Sequence, residues 1–126
     1  MNFADRTCAE IKKKQSHAVI GLDPVIERLP AFILDEAEQN YGKNDEGAAA
    51  AFIAFNRFII DTIAPYVAIV KPQLAYYEVY GAAGIDAYWQ TVNYAQQKGL
   101  IVIADAKRGD IDSTASAYAR SFFGDA

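Results

Sequence analysis

The sequence predicts an α/β fold built on a parallel sheet. Three short apolar runs carry that expectation, at residues 18–22, 66–70 and 100–104. Each is almost continuously apolar, the pattern of a strand buried on both faces. Between and after them, apolar residues recur at intervals of three and four, the period of crossover helices. All three runs also end in charge: Asp23, then Lys71, then Asp105 with Lys107. In α/β proteins the carboxyl ends of the strands hold the site.

Taken in order, residues 3–14 read as a helix with Phe3, Ala4, Cys8 and Ile11 near one face. Its basic end, Lys12-Lys13-Lys14, suits the helix dipole and reads as a solvated terminus. Cys8 is assigned to helix packing, and His17, at the mouth of the first strand, to a structural role. Asp23-Pro24 ends that strand, since proline cannot continue a ladder. On its own the aspartate is equally well read as an Asx turn. Residues 25–46 form a long connection with a helix of its own over 30–40, on which Phe32, Ile33, Ala37 and Tyr41 are apolar. A polar turn spans 42–47. A connection of this length is an insertion or a functional loop.

A helix is expected over residues 48–64, from the recurrence of Phe52, Phe55, Ile59, Ile60 and Ile63, with Pro65 as its stop. The second strand, 66–70, closes in Lys71-Pro72. Taken alone, Lys71 reads as a lysine snorkelling from a strand end. Residues 73–84 are rich in aromatics (Tyr76, Tyr77, Tyr80), which are assigned to packing. The next helix, 85–97, carries Tyr88, Trp89, Val92 and Ala95, and Lys98-Gly99 caps it. The third strand leads into Asp105, Lys107 and Asp110, and a last helix occupies 113–123.

Composition narrows the function. The chain has 126 residues, enough for one domain at most. Its net charge of −4 argues against nucleic acid or an anionic membrane as partner, while leaving room for a small phosphorylated ligand. One cysteine excludes an internal disulfide framework and fits a reducing, cytoplasmic setting. No signal-peptide pattern opens the chain, and no apolar run reaches the ~18 residues of a membrane span.

The charged turn is the most informative stretch. Asp105 and Lys107 are two apart and so share a face in an extended chain. Opposite charges at the end of a buried strand are costly to desolvate, so their position there calls for a role. Three separate strand ends supplying charge to one rim point to a catalytic site.

At this point the chain resembles the orotidine 5′-monophosphate decarboxylase family. The resemblance rests on Asp105-Ala-Lys107-Arg-Gly-Asp110-Ile followed by Thr114, on Gly21-Leu-Asp23-Pro, and on Val70-Lys71-Pro-Gln. The long 25–46 connection is similar to that of the longer bacterial subclass. The resemblance implies an eight-stranded (β/α) TIM barrel. Residues 1–126 would be the N-terminal part of that single domain, holding an N-terminal helix and about three βα units. It implies a homodimer that uses neither cofactor nor metal and converts orotidine 5′-monophosphate to uridine 5′-monophosphate and carbon dioxide. In that scheme Lys107 protonates C6, Asp105 sits against the substrate carboxylate, and Lys71 and Asp23 hold the ribose hydroxyls. Asp110 and Thr114 reach into the partner's site.

A closed barrel of this kind takes about 250 residues. The chain by itself is therefore expected to be inactive and, with free strand edges, prone to associate. Two other readings stand beside the main one. A sister sugar-phosphate decarboxylase or aldolase shares the Asp-x-Lys-x-x-Asp turn but uses a metal, and Lys71 would repel that metal. A non-catalytic half-barrel that pairs with another chain is the second.

Overall fold

The structure, a computed structural model, describes residues 1–124. Strands β1 (Val19–Leu22), β2 (Ile69–Pro72) and β3 (Ile101–Val102) lie parallel in the order β1-β2-β3. Spatial order follows chain order, as successive crossovers in one direction produce. Val19 pairs with Ile69, and Ile69 with Ile101. Backbone pairing runs past the last ladder residue of β3. The Ile103 N–H donates to the Val70 carbonyl at 2.9 Å, and the Asp105 N–H to the Pro72 carbonyl at 3.2 Å.

Among the described residues six α-helices accompany the sheet: α1 (Phe3–Lys14), α2 (Ala31–Tyr41), α3 (Asp45–Ile63), α4 (Leu74–Glu78), α5 (Gly81–Gln97) and α6 (Asp112–Phe123). Local chemistry sets their ends. The Asn44 side chain accepts from the Gly47 N–H at 2.9 Å, and Asp45 and Glu46 occupy the first turn of α3. Cap and charges both favour a helix start there. Helix α3 therefore begins three residues before the position its apolar period suggests. Helix α5 likewise begins at Gly81 rather than 85. Gly99, with φ of 79°, follows its last turn as expected.

Alternation along the strands sorts the side chains into two sets. Leu22, Val67, Val70 and Leu100 pack with Ile60 of α3 and Ala95 of α5. Ile69 and Ile101 point the other way, where Ile11 of α1 packs against them. A larger cluster joins the helices and includes Ile33, Phe52, Leu74, Tyr77 and Tyr88. Phe52 meets Tyr77 and Tyr80 edge-on, with ring centroids 5.8 and 5.1 Å apart.

Several expectations need correction. The sheet is not covered on both faces: α3 and α5 cover one, and the other carries little beyond Ile11. The first strand is accordingly buried only at its end, at Leu22. Val19 is 41% exposed, because β1 is an edge and α1 leaves its outer residues open. The second strand lies at 69–72 instead of 66–70, so Lys71 is inside it. The ladder admits Pro72 because Leu22 and Asp105 meet it without needing its missing N–H. The third strand is shorter than expected. Helix α1 buries no residue, and Cys8 and Phe3 are exposed, so Cys8 has no packing role here. Its basic end is more than a solvated terminus, since the Lys14 ammonium donates to the Ala64 carbonyl at the end of α3. On α2 only Ile33 and Ala37 are buried, while Phe32 and Tyr41 face outward. Trp89 of α5 and Tyr76 are also exposed.

The cluster carries a direct stability prediction. Phe52→Ala removes a fully buried ring and should cost about 3–5 kcal/mol in urea unfolding. Phe58→Ala, at a position 61% exposed on the same helix, should change stability by less than about 0.5 kcal/mol. Equal effects would show that the cluster is not the core.

Candidate active site

Register and alternation assemble the site. Lys71 stands two residues after Ile69, and Asp105 four after Ile101, so both point away from α3 and α5. Their neighbouring strands are locked at this level by the Asp105 N–H on Pro72 and by the Leu74 N–H on the Asp105 carbonyl, at 3.0 Å. The Lys71 ammonium lies 3.5 Å from Asp105 Oδ2. The Lys107 ammonium donates to both Asp105 oxygens, at 2.6 and 2.7 Å. One carboxylate thus stands between two ammonium groups. Exposure rises outward: the Asp105 side chain is 13% exposed, Lys71 38% and Lys107 76%.

Asp23 joins this rim through the backbone. Its Oδ1 accepts from the Gln73 N–H at 3.3 Å, and Gln73 also bridges to Asp105. Four of the expected residues therefore gather at the carboxyl ends of three adjacent strands. Asp110 and Thr114 are not brought into the cluster. Asp110 accepts from its own neighbour, the Ile111 N–H, at 2.8 Å, and Thr114 lies exposed in the first turn of α6. Arg108 turns away as alternation predicts. Its guanidinium pairs with Glu78 and lies 5.9 Å from the centre of the Tyr118 ring. A groove of about 600 Å³ between α5 and α6, lined by Trp89, Val102, Tyr118 and Phe122 among others, meets these residues only at Arg108 and Asp110.

Two features escaped the sequence reading. Gln73, which the sequence places in a connection and in the Val70-Lys71-Pro-Gln motif without a role, links Asp23 to Asp105 through its backbone. Asn56, fully buried, donates to the Tyr77 hydroxyl at 2.9 Å and to the Thr91 hydroxyl at 3.0 Å. Its signal was available: an amide in phase with Phe52 and Ile60 falls on the apolar face of its helix.

The two lysines set the electrostatics of Asp105. Hydrogen bonding from Lys107 holds its carboxyl below the ordinary value of 3.8, against a smaller upward push from burial, and Lys71 adds to the lowering. A depressed carboxylate contributes stability that is complete above its unfolded value and is lost as pH falls through the folded one. The array should thus be insensitive between neutrality and the ordinary carboxylate range, and should weaken only below it. Carbon-detected NMR should find Asp105 titrating below 3.8 in the parent and higher in Lys107→Met. An Asp105 that titrates alike in both proteins would refute the coupling.

Comparison with known proteins bears on the family and the fold. The sequence profile of the family described as Orotidine 5'-phosphate decarboxylase / HUMPS matches residues 50–126. The orotidine 5'-phosphate decarboxylase of Rhodopirellula baltica is 42% identical over 126 residues, covering 100% of this chain and 41% of that protein. The enzyme of that name from Clostridium novyi is 40% identical over 119 residues, covering 94% of this chain and 38% of its own length. The structure of Leishmania donovani OMP decarboxylase superposes with a TM-score of 0.71 at 32% identity, over 98% of this chain and 40% of that one. The chain thus spans about two fifths of the length of the curated relatives it matches. Its three βα units have the fold of part of a (β/α) barrel of that kind. Profile, relatives and superposed fold together show that the chain belongs to the orotidine 5'-phosphate decarboxylase / HUMPS family.

Proposed function

We propose that residues 1–126 form the N-terminal part of a single (β/α)8 barrel domain, with α2 in an insertion at about 25–46. The barrel decarboxylates orotidine 5′-monophosphate to uridine 5′-monophosphate in pyrimidine synthesis. The observation that carries this reading is the Asp105 carboxylate held between Lys71 and Lys107 at adjacent strand ends, in a chain of this family.

Loss of carbon dioxide leaves the electron pair of the broken C–C bond on C6 of the pyrimidine. A fixed ammonium stabilises that developing charge better than mobile water, because its orientation is set before the reaction. Lys107 then gives its proton to C6. The electron pair becomes the new C–H bond, and the resulting amine regains a proton from solvent. Asp105 faces the departing carboxylate and keeps the Lys107 ammonium aimed. Lys71 and Asp23 engage the ribose hydroxyls. Asp110 and Thr114, which stand apart from this cluster, serve the site of a second subunit in a cytoplasmic homodimer. No step requires a cofactor or a metal.

In the complete barrel, Lys107→Ala should lower kcat by at least about 10²- to 10⁴-fold with the circular dichroism spectrum unchanged. Arg108→Ala should cost less than about tenfold, because its contacts are with Glu78 and Tyr118 and not with the rim. Near-normal turnover in a folded Lys107→Ala protein would refute the assignment.

A further inference from the structure

We infer that Tyr77, backed by Asn56 and Thr91, is a positioning residue for Asp23. The inference rests on the reading that Asp23 binds substrate. The Tyr77 side chain is fully buried, and its hydroxyl donates to the Leu22 carbonyl at 2.8 Å. That carbonyl belongs to the rigid peptide unit that also contains the Asp23 N–H. Pinning it fixes the plane from which Asp23 rises. Pro24 restricts Asp23 from the other side, towards extended backbone. The Gln73 N–H holds the carboxylate itself.

The donors run in one direction. The Asn56 amide donates to the Tyr77 oxygen, which commits the tyrosine's single proton to Leu22. The second donor of the same amide goes to Thr91, so α5 fixes the orientation of the amide. Burial pushes the Tyr77 hydroxyl well above the ordinary tyrosine range, so it keeps that proton at any working pH. Gly84 allows the close fit: a Cβ there would lie 1.9 Å from the Tyr77 carbonyl oxygen. Helices α3, α4 and α5 thereby converge on one peptide at the carboxyl end of β1. A buried tyrosine hydroxyl needs some partner, and here the partner is the carbonyl of the residue before Asp23.

The test is a double-mutant cycle in the complete barrel, with kcat and KM for orotidine 5′-monophosphate measured alongside urea unfolding. Tyr77→Phe keeps the ring and removes the hydroxyl. If it acts through Asp23, it should lower kcat/KM about tenfold with Asp23 present and less than about twofold in the Asp23→Asn background. Its stability loss should be the same in both backgrounds. An equal catalytic loss in both would make Tyr77 merely structural and overturn the inference. An Asp23→Asn protein with unchanged kinetics would overturn the reading of Asp23 itself, and the inference with it. Should Tyr77→Phe not fold, Thr91→Val, which removes the far acceptor and keeps the shape, is taken through the same cycle with the same criteria.

Discussion

Asp105 accepts hydrogen bonds from Lys107 and Lys71 on one carboxylate, and the geometry of the rim follows from keeping it between them. Without that carboxylate two ammonium groups would face each other across adjacent strands, and their repulsion would drive both into solvent. With it, the two ammonium groups converge on one acceptor. The backbone supports this arrangement directly. Asp105 is tied through its N–H to Pro72 and through its carbonyl to Leu74, so its backbone is held in register between β2 and the start of α4. A one-residue slip would turn Lys71 or Asp105 to the opposite face. The apolar pairing of Ile69 with Ile101 therefore secures the electrostatics as well as the sheet.

Exposure along the array has a chemical meaning. Asp105 is nearly buried while Lys107 is mostly in water, so the proposed proton donor is the member most open to an arriving ligand. Under the proposed reaction, bound substrate would displace that water and strengthen the field of both ammonium groups at the ring. The face bearing these residues is the one α3 and α5 leave uncovered. In a barrel such a face is the interior, filled by side chains from the other strands.

Much of this was legible in the sequence because strand ends and charge positions are local properties. Three apolar runs, three crossover helices and a charged terminus on each run required no knowledge of tertiary contacts. The misplacements have specific causes. Apolarity alone starts the second strand too early, because apolarity marks burial and Val67 and Ala68 are buried before the ladder begins. Helix α3 was drawn too short because its start depends on the Asn44 side chain rather than on apolar spacing. Cys8 looked like a packing residue because α1 has an apolar stripe, but only Ile11 of that stripe finds a partner on the sheet. The link from Asn56 through Tyr77 to Leu22 joins residues up to 55 apart, and no local pattern reveals such a contact.

The central claim is that the Lys71–Asp105–Lys107 array is where the pyrimidine ring reacts. A crystal structure of the complete barrel with uridine 5′-monophosphate bound tests it most directly. The account predicts the Lys107 ammonium within about 3 Å of C6, with Lys71 and Asp23 on the ribose hydroxyls. A nucleotide bound with its ring away from these strand ends, and Lys107 still in solvent, would contradict it.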